Sequence, residues 1–458
     1  MLEGQKCLII GSGISGIGAL QLLEQFGVET ILYDSNEKLT KEELMAKLPE
    51  GSKACCIAGA LPAEIEAGIQ AVVLSPGVPT DIPLVNRLRD RGVQILGEIE
   101  LGFLAEKGKV VAITGTNGKT TTTTLVGEIM KAHVGAEHTF VVGNIGNPYT
   151  LETLKTKENT VTVGEISSFQ LETIHTFRPK VSAILNITPD HLDRHHTMEA
   201  YVEAKEAIAS NQTKDDVCVL NYDNEYTRAF AKNCPAKAVL FSSKEELSEG
   251  YYLRGTKIVK SQAGMAEELL DIHQDMNLVG MCNVENVMAA IAIAEGMAVP
   301  MATILRVIKG FRAVEHRIEF VATKRGVDYY NDSKGTNPDA AIQGIRAMSK
   351  PTILIGGGYD KHSEYDEWIE SFEGKVKWLV LIGQTREKIA ECAKAHGFTN
   401  IKFADTYEEC LQLCTQLAEC GDAVLLSPAC ASWGMFPNYE VRGHVFKEYV
   451  HGLTEEAL

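Results

Sequence analysis

The 458 residues carry 44 Lys and Arg against 61 Asp and Glu, a formal charge of −17, with 45% hydrophobic and 23% charged side chains. Those are globular proportions, sufficient for two to four domains of roughly 100–200 residues, and the acidic balance disfavours nucleic acid and anionic membrane as partners. The eleven cysteines include no CxxC pair, the N-terminal segment lacks a signal-peptide core, and no apolar run reaches the roughly 18 residues of a membrane span, so the chain reads as soluble and cytoplasmic.

Short apolar, β-branched runs alternate with helical patterns along the chain, which predicts α/β domains built on mostly parallel sheets. The first block opens with a strand at Cys7–Ile10, the loop Gly11-x-Gly13-x-x-Gly16 and a helix to Phe26. Strands follow at Thr30–Tyr33, ending at Asp34, and at Ala71–Leu74, ending in Ser75-Pro76-Gly77. The second block restarts at Val110–Ile113, with strands near Phe140–Val142, Val161–Val163 and Val181–Leu185, and its last helix spans Asn283–Glu295. The third begins near Arg317 with an extended pair, then strands at Thr352–Ile355, Trp378–Ile382 and Ala423–Leu426. The expected domains are residues 1–99, 100–312 and 313–458.

The strongest signal is Thr114-Gly115-Thr116-Asn117-Gly118-Lys119-Thr120-Thr121, set between a buried strand and a helix. The two glycines let backbone N–H groups turn inward around phosphate oxygens, and the helix adds its positive end. Lys119 suits the β- and γ-phosphates, and the Thr120 hydroxyl suits Mg²⁺. The spacing is shorter than the general G-x-x-x-x-G-K-[ST] form, because position 113 is Ile.

Further polar groups follow other strands, at the edge where open parallel sheets bind ligands. Gly143-Asn144-Ile145-Gly146 offers an amide and close backbone approach, and Glu165 is placed for Mg²⁺ or as a helix-start acid. Asn186–His196 is rich in candidate ligands; zinc is its rival reading, without Cys partners or H-E-x-x-H spacing to support it. His191 is the preferred functional histidine there, while His195 and His196 read as exposed helix-entry residues. Lys205 shares a helix face with Tyr201 and reads as a surface lysine; an ammonium cannot ligate Mg²⁺.

Together and in this order, Thr114–Thr120, Gly143–Gly146, Glu165–Glu172, Asn186–Arg194, Glu315–Arg317, Asn331–Asn337 and Ser427–Gly434 resemble the motifs of the Mur ligases over essentially the whole length. The resemblance implies a Rossmann-like N-terminal domain, a central P-loop ATPase-like domain and a Rossmann-like C-terminal domain. It implies ATP-dependent joining of D-glutamate to UDP-N-acetylmuramoyl-L-alanine through an acyl phosphate, in peptidoglycan precursor synthesis, by a monomer. Gly115–Thr121 would hold the phosphates, with Lys119 on the transferring group. Thr120 and Glu165 would hold one Mg²⁺; His191 and a carbamylated Lys205 would hold a second. Asn283 and Asn286 would lie by the adenine, with Arg317 and Asp332 also on ATP. Asn144 would face the substrate, and Lys334, Thr336, Lys361, Ser432 and Tyr439 the D-glutamate. Ile14, Ser15, Asp34, Ser35 and Gly77 would form the UDP pocket. Two departures are Cys282, where many relatives carry His, and Tyr439, where some carry Phe.

Other readings are another amide-forming Mur or folylpolyglutamate-type ligase, a non-catalytic nucleotide-binding protein and, from Gly11-x-Gly13-x-x-Gly16 with Asp34, a dinucleotide-dependent oxidoreductase.

Overall fold

A computed structural model describes residues 4–454, without the side chain of Asp193. The chain divides into two compact units, Met1–Leu270 with Val287–Ile308, and Asp271–Asn286 with Lys309–Leu458. Three sheets organise them, giving the α/β architecture that the alternating pattern predicts.

The first sheet comprises β1 (Lys6–Ile10), β2 (Glu29–Asp34), β3 (Cys55–Ala58), β4 (Ala71–Leu74) and β5 (Gln94–Gly97), all parallel, in the doubly wound order β3-β2-β1-β4-β5. β1 and β4 are almost wholly buried, because helices cover both faces and neither side needs polar residues.

The second sheet comprises β6 (Lys109–Thr114), β7 (Thr139–Gly143), β8 (Val161–Glu165), β9 (Val181–Ile184), β10 (Val217–Asn221), β11 (Lys237–Ser242), β12 (Gly250–Arg254), β13 (Lys257–Gln262) and β14 (Met265–Asp271). Their order is β14-β13-β12-β11-β10-β9-β6-β8-β7, parallel from β7 through β12 and antiparallel at β12/β13. Sequence patterning misses the last helix of this block. Asn283–Glu295 lies within the helix Met281–Gly296, but a further helix, Met301–Gly310, follows it and buries Ile304 and Ile308.

The third sheet comprises β15 (Glu319–Lys324), β16 (Val327–Asn331), β17 (Thr352–Gly356), β18 (Val376–Leu381), β19 (Ile401–Phe403) and β20 (Ala423–Leu426), in the order β15-β16-β20-β17-β18-β19. The expected extended pair is β15/β16, its one antiparallel contact.

Within the first unit, the helix Glu98–Ala105 joins the first two sheets through buried acids. Glu98 accepts from Thr150 N at 2.7 Å and Thr150 Oγ1 at 2.8 Å. Glu100 accepts from the backbone N–H groups of His175, Thr176 and Phe177. Both carboxylates thus satisfy donors that burial would otherwise strand. Beside Glu98 lies a cleft lined by Ser75, Pro76, Gly97, Phe169 and Gln170, among others.

Candidate active site

Four neighbouring parallel strands, β9, β6, β8 and β7, end at one edge of the second sheet, and four segments of candidate residues leave from them. After β6, Gly115 takes φ 150° and Gly118 φ 84°, conformations that favour glycine. Gly118 is the N-cap of the helix Lys119–Val134, so that helix points its free N–H groups into the loop.

The segment after β9 holds this loop in shape. Asn186 accepts from Thr116 N through its carbonyl at 2.9 Å and from Asn117 N through its side chain at 2.8 Å, while its amide donates to Asn117 O. Thr116 Oγ1 lies 3.1 Å from both Thr188 O and the Tyr201 hydroxyl. Lys119 Nζ donates to Gly115 O at 2.8 Å and Thr116 O at 2.9 Å.

Glu165 ends β8 in a buried position. Its Oε1 accepts from Asn144 Nδ2 at 2.8 Å, while Oε2 is buried without a hydrogen-bond partner among the described residues. A stranded carboxylate oxygen normally costs a few kcal/mol, and a hard divalent cation would satisfy it. Gly143 brings Asn144 there: its φ is 102°, and Asn144 N donates to Glu165 O at 2.8 Å.

Lys205 corrects the surface reading. It is 2% exposed, because the helix Met198–Glu206 turns it inward beside Tyr201, and its Nζ donates to Gly115 O at 2.9 Å. Burial, then the neighbouring Lys119, pulls its pKa well below the usual lysine range, against the pull of Asp190. Neutral amine is the form that can react with CO₂.

His191 is a left-handed N-cap with a half-exposed ring 4.9 Å from Phe169. His196 is exposed as expected, whereas His195 is buried: its Nε2 lies 2.9 Å from Ser168 Oγ and its Nδ1 3.5 Å from Glu172. That burial lowers its pKa. Phe169 packs on His191 and His195 and carries the Arg194 guanidinium 4.5 Å above its ring; Arg194 also pairs with Glu172 at 2.7 Å. Ring contacts continue from His195 to Tyr201 and so to Thr116. Asn186, Phe169, Arg194 and Tyr201 therefore shape the site, although no sequence signal separates their contacts from ordinary packing.

In the first sheet, the ends of β1, β2 and β4 bring together Ile14, Ser15, Asp34, Ser35 and Gly77. Ile14 is 74% exposed at the start of its helix. A Cβ at Gly16 would lie 2.0 Å from Gly11 O, so only glycine permits this tight turn. Asp34 Oδ2 accepts from Ser12 N and, at 2.6 Å, from Ser12 Oγ. Burial raises its pKa, but the Ser12 and Asn36 donors together outweigh that and hold the carboxylate below its ordinary range.

In the second unit, Asp332 is buried; Oδ2 accepts from Ser427 Oγ at 2.7 Å and Oδ1 from Ile318 N, next to Arg317. Burial pushes its carboxyl up to about 7, opposed by Ser427 and Arg317. Asn283 and Asn286 are also buried and linked, Asn286 Nδ2 to Asn283 Oδ1 at 3.1 Å. Lys334 Nζ sits 5.0 Å from the Tyr439 ring centre, and Lys361 Nζ sits 5.1 Å from that of Trp433. Thr336 N donates to Lys334 O, and Ser432 is buried beside Trp433.

Comparison with known proteins places this geometry. Residues 5–97 match the family description "Mur ligase MurD-like, N-terminal domain", 113–294 "Mur ligase middle domain" and 316–430 "Mur ligase, glutamate ligase domain". The chain belongs to the Mur ligase family. UDP-N-acetylmuramoylalanine--D-glutamate ligase of Lachnoclostridium phytofermentans is 55% identical to this Mur ligase over 453 residues, 99% of either chain. The protein so named in Lachnospira eligens is 56% identical over 452 residues, 99% of this chain and all of its own. Among solved structures, UDP-N-acetylmuramate-alanine ligase of Thermotoga maritima superposes with TM-score 0.60 at 18% identity, covering 98% of this chain and 99% of its own. The MurF ligase of Thermotoga maritima in complex with ADP gives TM-score 0.58 at 14% identity, covering 92% and 95%. Membership over the whole length sets aside the oxidoreductase reading of Gly11-x-Gly13-x-x-Gly16.

Proposed function

We propose that this Mur ligase uses ATP to add D-glutamate to the L-alanine carboxylate of UDP-N-acetylmuramoyl-L-alanine, releasing ADP and phosphate, in cytoplasmic peptidoglycan precursor synthesis. The observation that carries the catalytic reading is the convergence of the Gly115–Thr121 loop, Asn144, Glu165 and Lys205 on four adjacent strand ends. The choice of substrate rests on the near-full-length relatives. Among the described residues, no helix is long and apolar enough to cross a membrane.

Residues in the second sheet bind and activate. Backbone N–H groups of the loop and the Lys119 ammonium take the ATP phosphates and stabilise the charge on the transferring group. Thr120 with Glu165, and His191 with Lys205, would hold Mg²⁺, which when bound screens the phosphates and polarises the transferring phosphoryl group. The stranded Glu165 Oε2 fits that role. Lys205 fits it only as the carbamate, whose oxygens replace an ammonium that cannot ligate; its burial against Tyr201 supports that modification.

Residues of the first sheet, Ile14, Ser15, Asp34, Ser35 and Gly77, bind the UDP part, with Asp34 fixing the glycine turn through Ser12. Asn144 orients the substrate carboxylate. Asn283, Asn286, Arg317 and Asp332 bind nucleotide; Lys334, Thr336, Lys361, Ser432 and Tyr439 bind D-glutamate. The acyl phosphate forms when the carboxylate oxygen attacks the γ-phosphorus and ADP leaves; the amine of D-glutamate then displaces phosphate and gives up a proton to solvent.

The test supplies ATP, Mg²⁺ and UDP-N-acetylmuramoyl-L-alanine with one amino acid at a time and measures phosphate. D-glutamate alone should support release. Equal release with L-glutamate or L-lysine, or none with D-glutamate, overturns the assignment. Native mass spectrometry after exposure to ¹³C-bicarbonate should show one labelled adduct, absent in Lys205→Arg.

A further inference from the structure

Away from the strand edges just described, the second unit gathers a second set of ligating side chains. Cys392 and His396 are four residues apart on the helix Arg386–Ala395 and its C-cap, so they share a face. Asp366 opens the neighbouring helix Asp366–Glu370. One donor atom from each of Asp366, Cys392 and His396 lies within 4.8 Å of the others. Both ring nitrogens of His396 face carboxylates: Nε2 is 2.9 Å from Asp366 Oδ1, and Nδ1 is 3.6 Å from Glu370 Oε1.

We propose that Cys392 Sγ, His396 Nε2 and the Asp366 carboxylate form a binding site for one thiophilic divalent cation of the Zn²⁺ class, with Glu370 orienting the imidazole. One sulfur, one imidazole and one carboxylate are the donors that such an ion prefers, and three protein ligands leave a fourth tetrahedral position for water. Mg²⁺ is a poor match, because it demands an octahedral set of oxygens. A carboxylate on the distal nitrogen is the usual arrangement behind a metal-bound histidine, fixing its tautomer and raising its basicity. Glu364 adds further negative charge around the thiol. His396 is 26% and Asp366 59% exposed at the side chain, so an ion can enter from solvent. Binding exchanges the thiol proton for the metal–sulfur bond and releases that proton to solvent.

The other histidine cluster in this unit shows what is different here. Ligand atoms of Glu315, His316 and His444 also lie within 4.8 Å of one another, but the Lys447 ammonium sits 2.7 Å from Glu315 and 2.6 Å from Glu319, a cation already in place. Among the described residues, no lysine or arginine pairs with Asp366 or Glu370.

The experiment titrates Co²⁺ into the full-length protein under a phosphine reductant with excess Mg²⁺ present. The expected result is a thiolate-to-cobalt charge-transfer band with tetrahedral d–d absorption, saturating at one equivalent and erased by Zn²⁺. Cys392→Ser should abolish the band. His396→Gln should weaken binding at least tenfold, and Glu370→Gln by about tenfold, as loss of an outer partner does. Circular dichroism checks that each variant folds; His396→Gln and Glu370→Gln decide the matter if Cys392→Ser does not. No band in the native chain, the same band in Cys392→Ser, or unchanged affinity in His396→Gln overturns the proposal.

Discussion

Gly143 shows how closely the strand ends are fitted together. It ends β7, and a Cβ there would lie 2.3 Å from the carbonyl oxygen of Glu165. In Gly143→Ala no rotamer relieves this contact, because the obstacle is the backbone of β8. Holding alanine at positive φ costs about 1–2 kcal/mol, and losing the Asn144 N to Glu165 O hydrogen bond costs about 1 kcal/mol more. A total of about 2–3 kcal/mol corresponds to a fall in melting temperature of roughly 4–12 °C for a unit of this size. Glu165 moves with its carbonyl, and a displacement on the order of 1 Å in a positioning group lowers turnover about 100-fold. Calorimetry and steady-state kinetics on purified protein measure both effects. KM for the UDP substrate should rise only modestly, since the UDP pocket belongs to another sheet and only Asn144, placed on the substrate carboxylate, shifts with Gly143. Gly13→Ala is the control for stability, because a Cβ there meets nothing within 4 Å. If Gly143→Ala melts with the native protein and turns over at more than half its rate, the account of how Glu165 is positioned fails.

Other substitutions probe other parts. Lys119→Ala should lower phosphate release at least about 1000-fold with an unchanged melting temperature; near-normal turnover would end the phosphate-loop assignment. Glu98→Ala strands the Thr150 N–H and hydroxyl in a buried position, and should cost about 2–4 kcal/mol in urea unfolding; a shift under about 0.5 kcal/mol, the range of a surface substitution, would contradict that role. Asp332 ionises near its ordinary 3.8 when unfolded and at about 7 when folded. As pH rises through that window the unfolded chain loses the proton first, so folding stability should fall, by at most about 4 kcal/mol. Asp332→Asn should flatten this dependence, and an unaltered slope would show that another group carries it.

The turn at Gly115–Gly118, the position of Glu165 and the parallel core were legible because each depends on local chemistry: apolar strands, glycines at sharp turns, a carboxylate at a strand end. β12–β14 were not, because edge strands such as Met265–Asp271 expose most of their residues and lack an apolar run. The helix Met301–Gly310 is missing from the sequence reading although its apolar stripe is regular, with Ile304 and Ile308 buried. The burial of His195 and Lys205 comes from partners far along the chain, Ser168 and Gly115, which spacing along one element cannot reveal. Asp332 was legible as a motif residue, but its raised carboxyl depends on enclosure by the third sheet.

The Gly115 carbonyl accepts from both Lys119 Nζ and Lys205 Nζ. On the proposed role of the loop, an arriving triphosphate would have to draw Lys119 away from main-chain oxygens it already satisfies. That exchange would lower the affinity for nucleotide, and when phosphate departed the lysine would have a ready place to return to. Carbamylation of Lys205 would place a negative charge beside Lys119 and take Lys205 Nζ from the loop, tying the loop's readiness to the supply of carbon dioxide.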